Sequence, residues 1–252
     1  MSEITESTSW VRRFHPAPDA PVRLVCFPHA GGSASFYHPM SKALTGELDV
    51  VNLQYPGRQD RRHEPVLEDL GKLADQVAEV LQPWLDRPVA FFGHSMGAVL
   101  AFETALRLES DSAFSPVRLF ASGRRAPSTS RDESVHLRDD EGILAELKLM
   151  SGTDARLLGD EEILRMSMPA IRGDYRAIET YQARSGAAVR CPIDALTGDA
   201  DPKTTIAEAQ AWQEHTTGGF DLKVFAGGHF FLAHHQQEIT ALVRTRTAGT
   251  AR

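Results

Sequence analysis

Gly93-His94-Ser95-Met96-Gly97 sets a serine between two glycines, directly after the apolar run Val89 to Phe92 and just before a helical run that begins near Ala98. Strand, G-x-S-x-G and helix in that order form a nucleophile elbow, a turn so tight that side chains at the flanking positions would collide with neighbouring backbone, leaving the serine hydroxyl projecting above the sheet. A serine hydroxyl is a weak nucleophile at neutral pH. It needs an imidazole base, itself oriented by a buried carboxylate, and with this elbow the chain order is Ser, then Asp or Glu, then His.

Two downstream turns fit that order. Leu196-Thr197-Gly198-Asp199-Ala200-Asp201-Pro202 follows one strand-like run, and Gly227-Gly228-His229-Phe230-Phe231 follows the last, Leu222 to Phe225. Gly228 permits a tight loop, Phe230-Phe231 would anchor it in the core, and His229 is the expected base. Of the two carboxylates, Asp201 lies further along the loop toward His229 and is favoured as the orienting acid. Asp199, at the strand end, reads as a turn or capping residue. His15, His38, His63, His136 and His215 read as satisfied surface or core residues.

An acyl-transfer site also needs donors aimed at the developing oxyanion. Val22 to Phe27 runs into Pro28-His29-Ala30-Gly31-Gly32-Ser33-Ala34, whose small residues let backbone approach a reacting carbonyl closely. The N–H groups of Ala30 and of Met96, directly after the serine, are assigned to that hole, and His29 lies where it could pack beneath it. Tyr55-Pro56-Gly57-Arg58-Gln59-Asp60-Arg61-Arg62 follows another strand-like run; its arginines could meet a phosphate or simply pair with Asp60 and Glu64.

These residues must be held by a frame. Strands are predicted at Val22 to Phe27, Leu48 to Leu53, Val89 to Phe92, Val117 to Ala121, Ile193 to Leu196 and Leu222 to Phe225, mostly without polar alternation, as in a parallel sheet covered on both faces. Between Val66 and Trp84, apolar residues recur at three and four positions and predict an amphipathic helix. Ala98 to Leu108 is a second, more apolar helix, and Ile206 to His215 and Ile239 to Val243 belong to later ones. The alternation predicts an α/β fold with an open, mostly parallel, doubly wound sheet. From about Pro127 to Gly186 no strand is expected, only helical groups (Ile143, Leu144, Leu147, Met150; Ile171, Tyr175, Ile178, Tyr181) around a loop at Ser151 to Asp160. This insertion reads as a movable apolar lid, and the whole of residues 1–252 as one domain carrying it.

Composition narrows the partners. With 27 Lys+Arg against 34 Asp+Glu, a net charge of −7 and 42% apolar residues, the chain is an ordinary globular protein without the basic excess that binds phosphate backbones or anionic membranes. It carries no apolar run of the ~18 residues a membrane span needs, and Met1 to Pro21 is polar, so the cytoplasm is the expected compartment. Cys26 and Cys191 read as buried reduced thiols. No P-loop or G-x-G-x-x-G is present, and the adjacent His234 and His235 lack zinc-pair spacing, so neither metal nor cofactor is expected.

Taken together, Pro28-His29-Ala30-Gly31-Gly32-Ser33-Ala34-Ser35-Phe36-Tyr37, Pro56-Gly57-Arg58, the serine pentapeptide, Gly198-Asp199-Ala200-Asp201-Pro202 and Gly228-His229-Phe230-Phe231 resemble those of type II thioesterases, the stand-alone editing enzymes of polyketide and nonribosomal peptide synthesis. The resemblance runs from about Trp10 to Val243, and Met168-Pro169-Ala170-Ile171-Arg172-Gly173-Asp174-Tyr175 is similar to that family's lid-helix signature. It implies the α/β-hydrolase fold, Ser95, Asp201 and His229 as triad, and hydrolysis of acyl groups from the phosphopantetheine arm of acyl or peptidyl carrier proteins, by a monomer. Carrier proteins are acidic, so Arg58, Arg61, Arg62, Arg124, Arg125 and Arg131 are candidates for a local docking patch. The competing readings are an acyl-CoA or fatty acyl thioesterase, a carboxylesterase, and a carrier-binding module with a degenerate site.

Overall fold

The computed structural model describes residues 9–111, 114–151 and 161–249. Seven strands form one sheet: β1 (Val11–Arg12), β2 (Arg23–Phe27), β3 (Asp49–Leu53), β4 (Val89–His94), β5 (Arg118–Ser122), β6 (Ile193–Gly198) and β7 (Phe220–Phe225), in spatial order β1-β3-β2-β4-β5-β6-β7. Every pairing is parallel except β1 with β3. All six predicted strands are present, with ends shifted by a residue or two. The edge strand β1, two residues long, has no counterpart in the sequence reading because two residues carry no periodicity.

The reason for the parallel sheet is visible in β2, where every residue is buried. Successive side chains point to opposite faces. Val25 and Phe27 join one core with Leu73, Val77 and Phe102, whereas Leu24 and Cys26 join the other with Met40, Leu44, Ile239 and Val243. The first face is covered by α2 (Leu70–Leu81) and α3 (Met96–Asp111), the second by α1 (His38–Ala43) and α8 (Gln236–Thr247). Cys26 and Cys191 are buried free thiols, as expected, and burial pushes both up out of the reactive range.

The helix expected over 66–84 is shorter. Asp69 caps α2, its side chain accepting the N–H of Lys72 at 2.9 Å, and Pro83 lies in a 3-10 turn at the far end. Val66 falls outside and packs instead against Gly57 and Gly173.

Between β5 and β6 the chain forms α4 (Asp140–Ser151), α5 (Glu161–Met166) and α6 (Met168–Glu179), with no strand among the described residues. Ile143, Leu144, Met150, Met168, Ile171 and Tyr175 make a third apolar cluster, closed against Phe230. The expected loop at Ser151 to Asp160 lies outside the described residues after its first, Ser151, which ends α4. Helix α7 (Ile206–Gln210) begins with a Thr205/Glu208 capping box. Among the described residues no helix is long and apolar enough to cross a membrane.

Candidate active site

Strand β4 delivers Ser95 at a turn where the backbone has no slack. A Cβ on Gly93 would lie 2.1 Å from the carbonyl oxygen of Gly97, and one on Gly97 would lie 2.0 Å from that of Phe27. Both glycines are therefore required by backbone contact. Ser95 itself sits at φ 54°, a left-handed conformation that costs energy in a residue with a side chain and persists because the surrounding elements hold it. Its N–H donates to the carbonyl oxygen of Ser122 at 2.8 Å, locking the elbow to β5. The side chain is half-buried and lines a cavity that it shares with His229 and Ala30.

The three triad candidates come from the carboxyl ends of β4, β6 and β7. His229 Nδ1 lies 2.9 Å from Asp201 Oδ2 and 3.1 Å from Oδ1, with both side chains almost wholly buried. With Nδ1–H donating to that carboxylate, Nε2 lies on the opposite edge of the ring, away from Asp201. Asp201 is in turn fixed by the Lys203 N–H, 2.8 Å from Oδ1. Asp199 serves the same loop differently: its Oδ1 accepts the N–H of Gly227 at 2.8 Å. One aspartate thus holds the imidazole and the other holds the backbone that carries it.

Two details of the histidine loop differ from expectation. The tight conformation belongs to Gly227, at φ 125°, whereas a Cβ on Gly228 would meet nothing nearer than 3.9 Å. Phe231 does anchor the loop in the core, stacked on Phe225 at 5.2 Å, but Phe230 turns the other way and lines the cavity.

Among the described residues, the N–H groups of Ala30 and Met96 donate to no acceptor of the chain. Met96 opens α3, whose N-terminal dipole adds to the positive potential there. The Ala30 loop is clamped from the inserted helices. Asp174 on α6, fully buried, accepts the Gly31 N–H at 2.7 Å and pairs with buried Arg58 at 2.8 Å, while Arg58 also donates to the carbonyl oxygen of Gly32 at 3.4 Å. Ile171, one turn earlier on the same face, lies 2.7 Å from where a Cβ of Gly31 would be. His29 packs edge-on between Phe36 and Phe230, and His94 lies beside the His229 ring at 5.1 Å. Burial first, and then the neighbouring His229, hold His29 down at about 3 and His94 well below the usual histidine range. Both are therefore neutral at neutral pH.

The arginine patch expected for docking does not form. Arg58 is consumed by Asp174, so it is no phosphate ligand either. Arg61 pairs with Glu64 and stacks on Trp10 at 4.3 Å, Arg125 pairs with Glu133 at 2.5 Å, and Arg131 with Glu208 at 2.5 Å. Arg124 is buried, and of the six only Arg62 is exposed. The Arg61–Glu64 pair is the local pairing that the sequence offered as the alternative to a phosphate, whereas spacing gave no sign of the others, because partners such as Arg58 and Asp174 are far apart in the chain.

The cavity over Ser95 is about 150 Å³, walled by the inserted helices through Leu147, Met150, Leu164, Ile171, Tyr175 and Ile178. Residues 22–248 match the thioesterase domain family. A Streptomyces griseus protein named as a probable cadicidin biosynthesis thioesterase is 62% identical over 226 residues, covering 90% of this chain and 62% of its own length, so the chain spans less than two thirds of that relative. Thioesterase PikA5 of Streptomyces venezuelae is 49% identical over 253 residues, covering 98% of this chain and 90% of its own. The solved structure of BorB, a type II thioesterase from the borrelidin biosynthetic cluster, is 51% identical with a TM-score of 0.85, covering 94% of this chain and 96% of that one.

Proposed function

The chain belongs to the thioesterase family, among its type II members with the α/β-hydrolase fold, and from that membership we propose that it hydrolyses acyl thioesters on phosphopantetheinyl carrier proteins through a Ser95 acyl-enzyme. The observation that carries this reading is the buried Asp201–His229 pair, 2.9 Å apart, whose His229 lines the same cavity as the strained Ser95.

In this proposal the chemistry runs as two acyl transfers. Ser95 Oγ attacks the thioester carbonyl as its proton passes to His229 Nε2, and Asp201 stabilises the imidazolium at Nδ1. The Ala30 and Met96 amides receive the oxyanion, a contribution of roughly 2.7–4 kcal/mol per donor in related chemistry. The C–S bond breaks, the thiolate takes the proton from His229 and leaves, and water repeats the attack on the ester. The carboxylic acid is released and the serine hydroxyl restored. A cavity of about 150 Å³ is the size of an engineered core cavity that takes up benzene, which suits a short acyl group. The helices between β5 and β6 act as a lid over that cavity, and the described chain works as one α/β domain with this insertion.

The test is intact-mass analysis of an acyl-loaded carrier protein over time with wild-type and Ser95→Ala enzyme. Loss of the acyl mass with wild type alone supports the proposal. Retention with both, alongside cleavage of oxygen esters or acyl-CoA, replaces it with an esterase or acyl-CoA thioesterase.

A further inference from the structure

Arg124 is a buried cation in the cavity wall that the reaction above does not use. It lies two residues beyond β5, the strand to which the elbow is pinned by Ser95 N–H donating to Ser122. Gly123 makes the turn at φ +59°, close against the His94 ring, and the Arg124 carbonyl oxygen is held by the Trp212 indole N–H at 2.8 Å. The residue is 9% exposed and lines the same cavity as Ser95, His229 and Tyr175.

The surrounding charges are all engaged except this one. Glu133 accepts from Arg125 and from Lys203, at 2.5 and 2.8 Å. Glu146 pairs with Lys203 and Arg138, at 2.5 and 2.9 Å. Glu179 accepts the N–H groups of Val135 and His136, each at 3.0 Å, and the His136 ring at 2.6 Å. Among the described residues the Arg124 guanidinium has no hydrogen-bond or ion-pair partner, and its Nε is buried without an acceptor. Burial, and then repulsion from Arg125, pull its pKa down to about 9, so it remains charged at neutral pH. An unpaired buried guanidinium is costly, and the cost is relieved when an acceptor arrives with a ligand.

We propose that Arg124 is a specificity-determining residue that donates to an oxygen on the acyl group beyond the thioester carbonyl, so that the cavity selects oxygenated acyl groups, with a ketone or carboxylate, over plain alkanoyl groups of equal length. This rests on the cavity being the acyl site of the proposed thioesterase. It does not rest on the chemistry of Ser95, so the two are separable by measuring binding without turnover.

The experiment is calorimetric titration of the Ser95→Ala protein with acetoacetyl-, malonyl- and butyryl-pantetheine, repeated in Ser95→Ala/Arg124→Met and Ser95→Ala/Arg124→Gln proteins. The expected result is at least tenfold tighter binding of an oxygenated thioester than of butyryl, with that ratio falling toward one in the Met variant. The Gln variant retains donors without charge: a surviving preference for acetoacetyl identifies a ketone, and loss of a malonyl preference identifies a carboxylate. Equal affinities in the Ser95→Ala protein, which need no Arg124 variant to fold, overturn the inference, as does a ratio that Arg124→Met leaves unchanged. Failure of Ser95→Ala to abolish turnover on a carrier-bound substrate counts against the serine mechanism; titration with the corresponding non-hydrolysable pantetheine amides then reads the same binding ratios.

Discussion

Asp174 on the inserted helix α6 accepts the backbone N–H of Gly31 at 2.7 Å, one residue beyond the amide assigned to the oxyanion. The acyl-covering helices and the catalytic loop are therefore one mechanical unit, with buried Arg58 on the other carboxylate oxygen. Asp174→Ala should lower kcat on thioester substrates by ~10–100-fold with little change in KM, because a misaligned amide loses part of the 2.7–4 kcal/mol such donors contribute. Asp174→Asn, which keeps an acceptor for the Gly31 N–H, should retain more of kcat than Ala. A KM effect as large as the kcat effect, or equal losses in both variants, would show that the contact only holds the fold.

The division of labour between the two aspartates can be tested by matched substitutions. Asp201→Asn should cut kcat by ~10⁴, since the amide no longer fixes the His229 tautomer or stabilises the imidazolium. Asp199→Asn keeps an acceptor for the Gly227 N–H and should stay within about threefold of wild type. Steady-state kinetics that reversed this order would reassign the orienting acid.

How far the sequence could carry this reading is clear from particular residues. Six strands were legible because each is an apolar run buried on both faces, and Ser95 and His229 because backbone crowding forces glycine beside one and chain order points to the other. Asp201 was favoured by position alone, and the hydrogen bond to His229 now supports that choice. The Asp174–Arg58 pair was not legible: it joins residues 116 positions apart, and nothing local tells a buried arginine from a solvated one. The same blindness placed Arg61, Arg124 and Arg125 on a docking surface, when Arg61 is buried against Trp10 and Glu64 and the positions of Arg124 and Arg125 after β5 lead them against the inserted segment instead.

Backbone crowding at the elbow makes a sharp stability prediction. Gly97→Ala would place a methyl carbon 2.0 Å from the Phe27 carbonyl oxygen, a clash between two pieces of backbone that no rotamer relieves. It should destabilise by more than ~3 kcal/mol, at the severe end of single substitutions. Gly228→Ala, with its nearest neighbour at 3.9 Å, should cost less than ~1 kcal/mol. Denaturant midpoints of the two variants check this, and similar midpoints would refute the close packing of the start of α3 on the end of β2.

Glu133 should dominate an acid-sensitive part of the stability. Burial alone would push its carboxyl up, but hydrogen bonds from Lys203 and Arg125 outweigh burial and hold it at about 2, against an ordinary 4.5. A carboxyl whose pKa is depressed on folding releases its proton more readily in the native state, so its stabilisation is present above pH 4.5 and is lost as pH falls toward 2. Since the side chain is only 14% exposed, solvent screens the pair weakly, and the contribution at neutral pH is on the order of 2–3 kcal/mol. Glu133→Gln should therefore be less stable than wild type at pH 7 by that order, with the difference shrinking as the pH is lowered from about 4.5 to about 2. Urea unfolding at a series of pH values reads the effect directly; a difference that stayed constant across that range would mean that the Glu133 charge contributes nothing beyond its packing.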